Sequence, residues 1–118
     1  MELPFSLTSE VRNNSLVITT SGYVNNVGGE AIAQEVNRHF AQGTSTVILN
    51  LAQSKVVNSV GMSLLIEIIE QLQEMNGKMV FTNLDPAVEK MLGIMGLFEF
   101  AGKEQSVEDA LRSLSPQK

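Results

Sequence analysis

Residues 46–82, TVILNLAQSKVVNSVGMSLLIEIIEQLQEMNGKMVFT, contain the pattern that decides the fold. Residues 46–51 form a short apolar run between polar residues, which is typical of a central strand covered on both faces. Apolar residues then recur at helical spacing over residues 60–75, the strongest helix pattern in the chain. Asn76-Gly77 ends that helix, and residues 78–82 predict another buried strand. This order predicts parallel pairing through a crossover helix.

The N-terminal segment predicts a β-hairpin. Residues 5–11 alternate between apolar and polar side chains, as expected of an edge strand with one solvated face. Asn13-Asn14 supplies residues that tolerate positive φ, and residues 16–20 form a β-branched run. The second strand is expected to end at Gly22.

A first helix is expected to follow the hairpin. Residues 23–29 contain two Asn and two Gly, which is the composition of a turn, so the helix is expected to begin at Glu30. Gly43 stands where a left-handed helix cap is expected. The apolar stripe of this helix consists of Ile32, Val36 and Phe40.

The C-terminal part predicts two more helices and one more strand. Asp85-Pro86 provides a capping side chain and a proline at the first helical position, and Gly96 ends that helix. Residues 97–100 predict a short strand, and Ser106 opens a last helix that runs through Leu114. The expected apolar face of the third helix is Val88, Met91, Leu92 and Met95.

Together these patterns predict an α/β fold, a mixed β-sheet with helices in the order β-β-α-β-α-β-α-β-α. No internal repeat, low-complexity segment or linker is evident. The 118 residues fit a single domain, residues 1–118, with its core at about 5–114 and frayed ends.

Composition excludes several functions. Eight Lys and Arg against thirteen Asp and Glu give a net charge of -5, the wrong sign for a nucleic-acid partner. The absence of Cys excludes disulfides and thiolate chemistry. Neither a signal peptide nor an apolar run long enough to span a membrane is evident, so a cytoplasmic protein without a membrane partner is expected.

Residues that could carry catalysis or bind a cofactor give no positive signal, so we expect no enzymatic activity, metal or cofactor. The single histidine, His39, has no nucleophile or second ligand at a recognisable spacing and is interpreted as a surface helix residue. Gly28-Gly29 lacks the pattern of a phosphate-binding loop. The six Met residues are interpreted as core packing. A solvated helix face is predicted for Glu67, Glu70 and Glu74.

Ser59 stands out because it lies where an apolar stretch runs into the strongest helix. Asn58 or Ser59 could serve as an ordinary N-cap that accepts a hydrogen bond from a free backbone N–H. A helix start also has unpaired donors and a partial positive charge, so a phosphate on Ser59 could be accommodated without unfolding.

At this segment the chain resembles the STAS family, in particular the bacterial anti-sigma factor antagonists. Those proteins have a strand like residues 47–51, followed by Asp-Ser-Ser-Gly or Asp-Ser-Thr-Gly at a helix start, where this chain has Asn58-Ser59-Val60-Gly61. Three further family elements, Gly-Glu-Leu-Asp, Ser-Pro-Ala-Val and Gly-Leu-Phe, are similar in order and spacing to Gly22-Tyr23-Val24-Asn25, Asp85-Pro86-Ala87-Val88 and Gly96-Leu97-Phe98.

The resemblance, which covers about residues 5–114, implies a partner-switching regulator of transcription. A family antagonist binds an anti-sigma factor, which is also a serine protein kinase, and thereby frees a sigma factor. Phosphorylation of the antagonist by that kinase ends this activity. The acceptor position falls on Ser59. The implied partner-binding residues are Asn25, Asn26, Asn58, Ser59, Val60, Gly61 and Met62.

Two departures from the family pattern weaken the implied phosphorylation more than the implied binding. Asn58 and Asn25 replace family acids, and an amide keeps hydrogen bonding but cannot accept a proton as a carboxylate does. Val60 replaces the second hydroxyl. Two other hypotheses therefore stay open: a STAS scaffold of another signalling or transport complex, with Ser59 only a helix cap, and a small-ligand sensor or enzyme.

Overall fold

A computed structural model describes residues 4–114, which fold as one β-sheet with helices on both faces. The order β-β-α-β-α-β-α-β-α predicted from the sequence is confirmed, with one 3₁₀ helix, Leu97–Glu99, inserted before the last strand. The elements are β1 Ser6–Arg12, β2 Ser15–Ser21, α1 Asn26–Phe40, β3 Thr46–Gln53, α2 Ser59–Glu74, β4 Lys78–Thr82, α3 Pro86–Ile94, β5 Gly102–Glu104 and α4 Val107–Leu114.

The sheet has the spatial order β1-β2-β3-β4-β5. β1 pairs antiparallel with β2, and the remaining neighbours pair parallel, as the strand-helix-strand pattern predicts. The predicted edge position of β1 and central position of β3 are both confirmed. Asn13 and Asn14 form the hairpin turn with φ of 52° and 66°, a conformation that Asn tolerates better than most residues.

Two cores of unequal size cover the two faces of the sheet. α1, α2 and α3 bury their apolar stripes against one face, where β3 contributes Val47 and Leu49. α4 covers the other face, where Ile48 packs with Ala110 of that helix. Side chains alternate across a strand, so neighbouring residues of β3 supply opposite cores. The larger core holds α1 and α2 together at the end of the sheet where both helices begin.

α1 begins four residues earlier than the sequence pattern predicts, at Asn26 instead of Glu30. The Asn25 side chain caps the helix, and the Gly29 N–H donates to the Asn25 carbonyl oxygen at 2.8 Å. Gly28 and Gly29 therefore lie inside the first turn, where both are buried. The prediction failed because a side-chain cap and tertiary packing offset the weak helix propensity of glycine.

The prediction of a strand over residues 97–100 is wrong. This segment is a 3₁₀ helix, and β5 begins two residues later, at Gly102. Gly96 has a φ of 83°, and the backbone then turns on itself as the Ala101 N–H donates to the Leu97 carbonyl oxygen at 3.0 Å. Leu97 of this turn is buried in the larger core.

His39 and three methionines also differ from expectation. His39 is 6% exposed, because it lies seven residues after Ile32 and therefore on the buried stripe of α1. Its Nδ1 lies 2.9 Å from the Glu35 carbonyl oxygen. Met62 and Met79 fill the core as predicted. The three methionines at exposed positions, on helix flanks or just after helix ends, are Met75, Met91 and Met95.

Candidate protein-binding site

The starts of α1 and α2 lie side by side at the end of the sheet to which the parallel strands point. Val24 and Val57 form an isolated parallel bridge just before the two helices. The Val24 N–H donates to the Val56 carbonyl oxygen at 3.0 Å, and the Asn58 N–H donates to the Val24 carbonyl oxygen at 3.1 Å. This backbone pairing brings Asn25 and Asn58 into neighbouring positions, as the family resemblance implies.

Each helix start is capped by its asparagine. Asn25 Oδ1 accepts from the backbone N–H groups of Val27 and Gly28, at 3.0 and 3.2 Å. Asn58 Oδ1 accepts from the Gly61 N–H at 2.8 Å. Both residues have extended backbone, as N-caps normally do. The amide oxygens therefore perform the capping that a carboxylate would perform, without its negative charge.

The two helix starts also share their local sequence. Residues 24–28 read VNNVG and residues 57–61 read VNSVG, so they differ only at Asn26 and Ser59. We call them the Asn26 segment and the Ser59 segment. These four identities within five residues become evident once the Val24–Val57 bridge aligns the two segments.

Gly61 allows the two segments to approach closely. A Cβ on Gly61 would lie 2.2 Å from the carbonyl oxygen of Val24, a backbone atom that can shift only at a cost in stability. Gly61 is buried, and Met62 beside it is only 2% exposed. The expectation that Met62 contacts a partner therefore needs correction: its side chain packs into the core beneath the site.

Ser59 is the first residue of α2 and is exposed. The sequence left the cap role open between Asn58 and Ser59, and the side chain that caps α2 is that of Asn58. The hydroxyl of Ser63 donates to the Ser59 carbonyl oxygen at 3.0 Å, while the Ser59 hydroxyl makes no hydrogen bond with any other residue from 4 to 114. The Ser59 hydroxyl is therefore available at the surface.

Three exposed valines lie near Ser59, either in the sequence or across the Val24–Val57 bridge, and only one of them was expected to belong to the site. Val27, Val56 and Val60 are each at least 50% exposed, and each lies within three residues of the Val24–Val57 bridge. The missed signal was the repeated sequence itself, which places Val27 and Val60 at the same position of two helix starts. Exposed apolar side chains grouped with polar ones are typical of a protein-binding surface.

No acidic residue lies in the first turn of α1 or of α2. The unpaired N–H groups and the macrodipole give each helix start a partial positive charge, which here has no carboxylate beside it within the same turn. The N-cap of α3 is acidic, by contrast, and this Asp85 has its Oδ1 3.8 Å from Lys55 Nζ. This electrostatic setting can accept an added anion at the surface.

Two further observations concern the described part of the chain as a whole. Residues 4–114 contain no group of three His, Cys, Asp or Glu residues arranged to hold a metal ion. Over the same residues, none of the helices combines the length and the apolar character needed to cross a bilayer.

The mixed five-stranded sheet and the helices of residues 4–114 have the fold of a STAS domain. The sequence model of the STAS domain family matches residues 6–110, and the chain belongs to this family. The resemblance inferred from the sequence is thereby confirmed.

Within the family, the chain is similar to proteins named as anti-sigma factor antagonists. One is BtrV of Bordetella bronchiseptica, 23% identical over an alignment of 113 residues that covers 93% of this chain and 97% of that protein. An anti-sigma factor antagonist from Mycobacterium paratuberculosis superimposes with a TM-score of 0.81 at 21% identity, covering 94% of both chains. The phosphorylated form of the Bacillus cell fate determinant SpoIIAA gives 0.72 at 22% identity, covering 95% of this chain and 100% of that one. These superpositions establish the fold.

Proposed function

We propose that the chain is an anti-sigma factor antagonist, a regulatory protein and not an enzyme, that binds an anti-sigma factor with serine kinase activity. Binding uses the surface of the two helix starts, and phosphorylation of Ser59 ends it. The observation that carries the proposal is the exposed Ser59 hydroxyl, which is left unused because Asn58 caps α2. The name of the relative BtrV supports the same role.

The proposed binding surface has an apolar and a polar component. Val27, Val56 and Val60 supply apolar area that a partner can bury, while Asn25 and Asn26 supply amide groups at its rim. Asn58 and Gly61 act within this chain, because the Asn58 side chain caps α2 and the missing Cβ of Gly61 admits the backbone of Val24. Met62 supports the surface from the core side.

Phosphorylation at Ser59 acts on this surface by charge and not by unfolding. A phosphoserine adds about 1.5 to 2 negative charges at neutral pH, which the N–H groups and dipole of a helix start tolerate. The same charge has to be desolvated when a partner covers Val60 beside it, and that cost weakens the complex. The partner can thus be released while the fold remains intact.

The test compares three single substitutions for their affinity to the anti-sigma kinase, measured by calorimetry. Ser59→Glu is expected to weaken binding by at least about tenfold while the circular dichroism and melting temperature stay near those of wild type. Ser59→Ala is expected to bind normally and to take no phosphate from the kinase and ATP. Gln34→Glu adds the same charge at an exposed position of α1 and is expected to bind normally. Normal binding by Ser59→Glu would contradict the proposed switch.

The alternative hypothesis is a scaffold module of another complex in which Ser59 serves only as a cap. The cap of α2 is the side chain of Asn58, so the described contacts do not favour that role for Ser59. A kinase that binds the chain without modifying Ser59 would favour the scaffold.

A further inference from the structure

A second apolar surface lies on α2, away from the Ser59 segment. A groove of about 250 Å³ runs between the C-terminal half of α2 and the turn that follows α3. It begins at Ile66, seven residues after Ser59 and thus roughly 10 Å further along the helix. Its apolar lining is provided by Ile66, Ile69, Met95, Leu97 and Phe100.

Exposed apolar side chains extend the rim of this groove. Ile94, Met95 and Phe100 are each more than half exposed, although they lie within seven residues of one another. Scattered apolar residues are normal on a protein surface, but a group that borders an apolar groove indicates an interaction site.

Carboxylates stand on or beside both walls of the groove. Glu70 lines the α2 side, and Glu67 and Glu74 lie on the same flank of that helix at three- and four-residue spacing. On the opposite wall, Glu99 lies against Gly96, because a Cβ on that glycine would be 3.0 Å from Glu99 Oε2. A partner that enters the groove therefore meets negative charge on each side.

These four carboxylates differ from most others in the described chain in that they form no salt bridge. Glu10, Glu35, Glu89 and Glu108 each form a salt bridge within the chain. Glu67, Glu70, Glu74 and Glu99 form none with any residue from 4 to 114.

Their arrangement costs stability. Glu70 and Glu74 repel each other at four-residue spacing, and Glu74 stands in the last turn of α2, where the macrodipole favours a cation and no basic residue is present. A basic partner would relieve both effects.

We propose that this groove binds an amphipathic helix of a partner protein, whose apolar face is flanked by Lys or Arg. The apolar floor suits the apolar face of such a helix, and the carboxylates on both walls suit its basic flanks. In a dimer formed through this groove, the unpaired carboxylates of the two copies would face and repel each other. The same carboxylates would repel an anionic membrane. The proposal does not depend on the role of Ser59, because the groove and the Ser59 segment are separate surfaces.

The test uses two designed helical peptides of about 15 residues, long enough to form a helix on the protein surface. Both carry Leu at helical spacing, and Lys flanks the Leu face in one while Glu replaces Lys in the other. Chemical-shift mapping on the isotope-labelled protein is expected to show saturable binding of the basic peptide, with shifts at Ile69, Gln73 and Phe100. The acidic peptide is expected to produce no shifts there.

Matched variants separate charge from apolar contact. Glu70→Gln/Glu99→Gln is expected to weaken the basic peptide by about two- to tenfold, whereas Glu30→Gln/Glu104→Gln removes two carboxylates elsewhere and leaves binding unchanged. Phe100→Ala is expected to weaken it by about tenfold, whereas Val11→Ala, another exposed apolar position, has no effect.

Four outcomes would overturn the proposal. Equal binding of the acidic peptide, or shifts centred on the Ser59 segment, would show that the groove does not select a basic helix. A dimer in sedimentation experiments that Phe100→Ala dissociates would assign the groove to a second copy. Binding to phosphatidylglycerol vesicles that Phe100→Ala abolishes would assign it to a membrane. None of these outcomes would affect the Ser59→Glu test of the proposed function.

Discussion

The Asn26 segment and the Ser59 segment have nearly the same sequence but different tertiary surroundings. Both begin with a bridging valine and a capping asparagine, and both continue through an exposed valine to a glycine. A Cβ added to Gly28 would lie 2.9 Å from the ring of Phe5 and 3.0 Å from the Tyr23 carbonyl oxygen. A Cβ added to Gly61 would lie only 2.2 Å from the Val24 carbonyl oxygen. Local sequence therefore determines the cap and which segment presents a hydroxyl, while tertiary packing determines which glycine is required.

The largest expected effect concerns the two capping amides. Asn25→Asp/Asn58→Asp is expected to accelerate phosphorylation of Ser59 by the partner kinase by about 10²-fold or more, because a positioned carboxylate can accept the hydroxyl proton. Asn58→Asp alone is expected to give part of this gain. The measurement is the initial rate at saturating kinase, with affinity determined in parallel. Equal rates for wild type and the double variant would show that the kinase does not need the acids.

The next largest effect is a difference in stability between alanine substitutions at the two glycines. Gly61→Ala is expected to lower the free energy of unfolding by about 3 kcal/mol, since backbone atoms of Val24 have to move. Gly28→Ala is expected to change it by less than about 1 kcal/mol, because the ring of Phe5 can shift and alanine has the better helix propensity. Urea denaturation of both variants tests this difference. Similar losses at the two positions would mean that Tyr23 constrains Gly28 as strictly as Val24 constrains Gly61.

A smaller effect tests what the two segments share. Asn25→Ala and Asn58→Ala are each expected to lower the free energy of unfolding by about 1 kcal/mol, the usual contribution of an asparagine N-cap. Asn26→Ala, next to one cap but without a capping contact among the described hydrogen bonds, is the matched control and is expected to have little effect. If only one cap contributed, the equivalence of the two helix starts would be limited to their sequence.

Sequence reasoning predicted the features that arise from local patterns. The helix over residues 60–75, the strand Lys78–Thr82, the Asn13-Asn14 turn and the cap-proline pair at Asp85-Pro86 were found because periodicity and turn chemistry are local properties. The parallel order also followed, because a crossover helix between strands permits little else.

Features that depend on distant contacts could not be found in this way. The early start of α1, the buried His39 and the 3₁₀ turn at Leu97 depend on what packs against them. At the candidate site, the position of Ser59 was predicted, but the buried state of Met62 and the exposure of Val27 required knowing where Val24 lies.

The smallest expected effect concerns the Glu35 carboxylate, through which α1 forms a hydrogen bond with β1. Glu35 of α1 accepts hydrogen bonds from Arg38 and from Ser9 of β1, and these hydrogen bonds, that of Arg38 first, lower the pKa of the Glu35 carboxyl. The His39 ring also faces this carboxylate, 3.7 Å away, from the next turn. Because the pKa in the folded state lies below that of the unfolded chain, the contribution of Glu35 is present above the unfolded value and is lost as the pH falls through the folded one.

Glu35→Gln is therefore expected to lower the free energy of unfolding at pH 7 by less than about 1 kcal/mol, as for a partly exposed ion pair. Below about pH 4 the variant is expected to lose less stability than wild type, because it lacks the carboxylate that becomes protonated there. Urea denaturation between pH 7 and pH 3 measures both. Glu30→Gln, at an exposed glutamate of the same helix that forms no salt bridge within residues 4–114, is the matched control. Its pH dependence is expected to follow wild type. If the two variants instead gave the same pH dependence, the ionised form of Glu35, with its hydrogen bonds from Arg38 and Ser9, would contribute nothing to folding beyond what a neutral amide supplies.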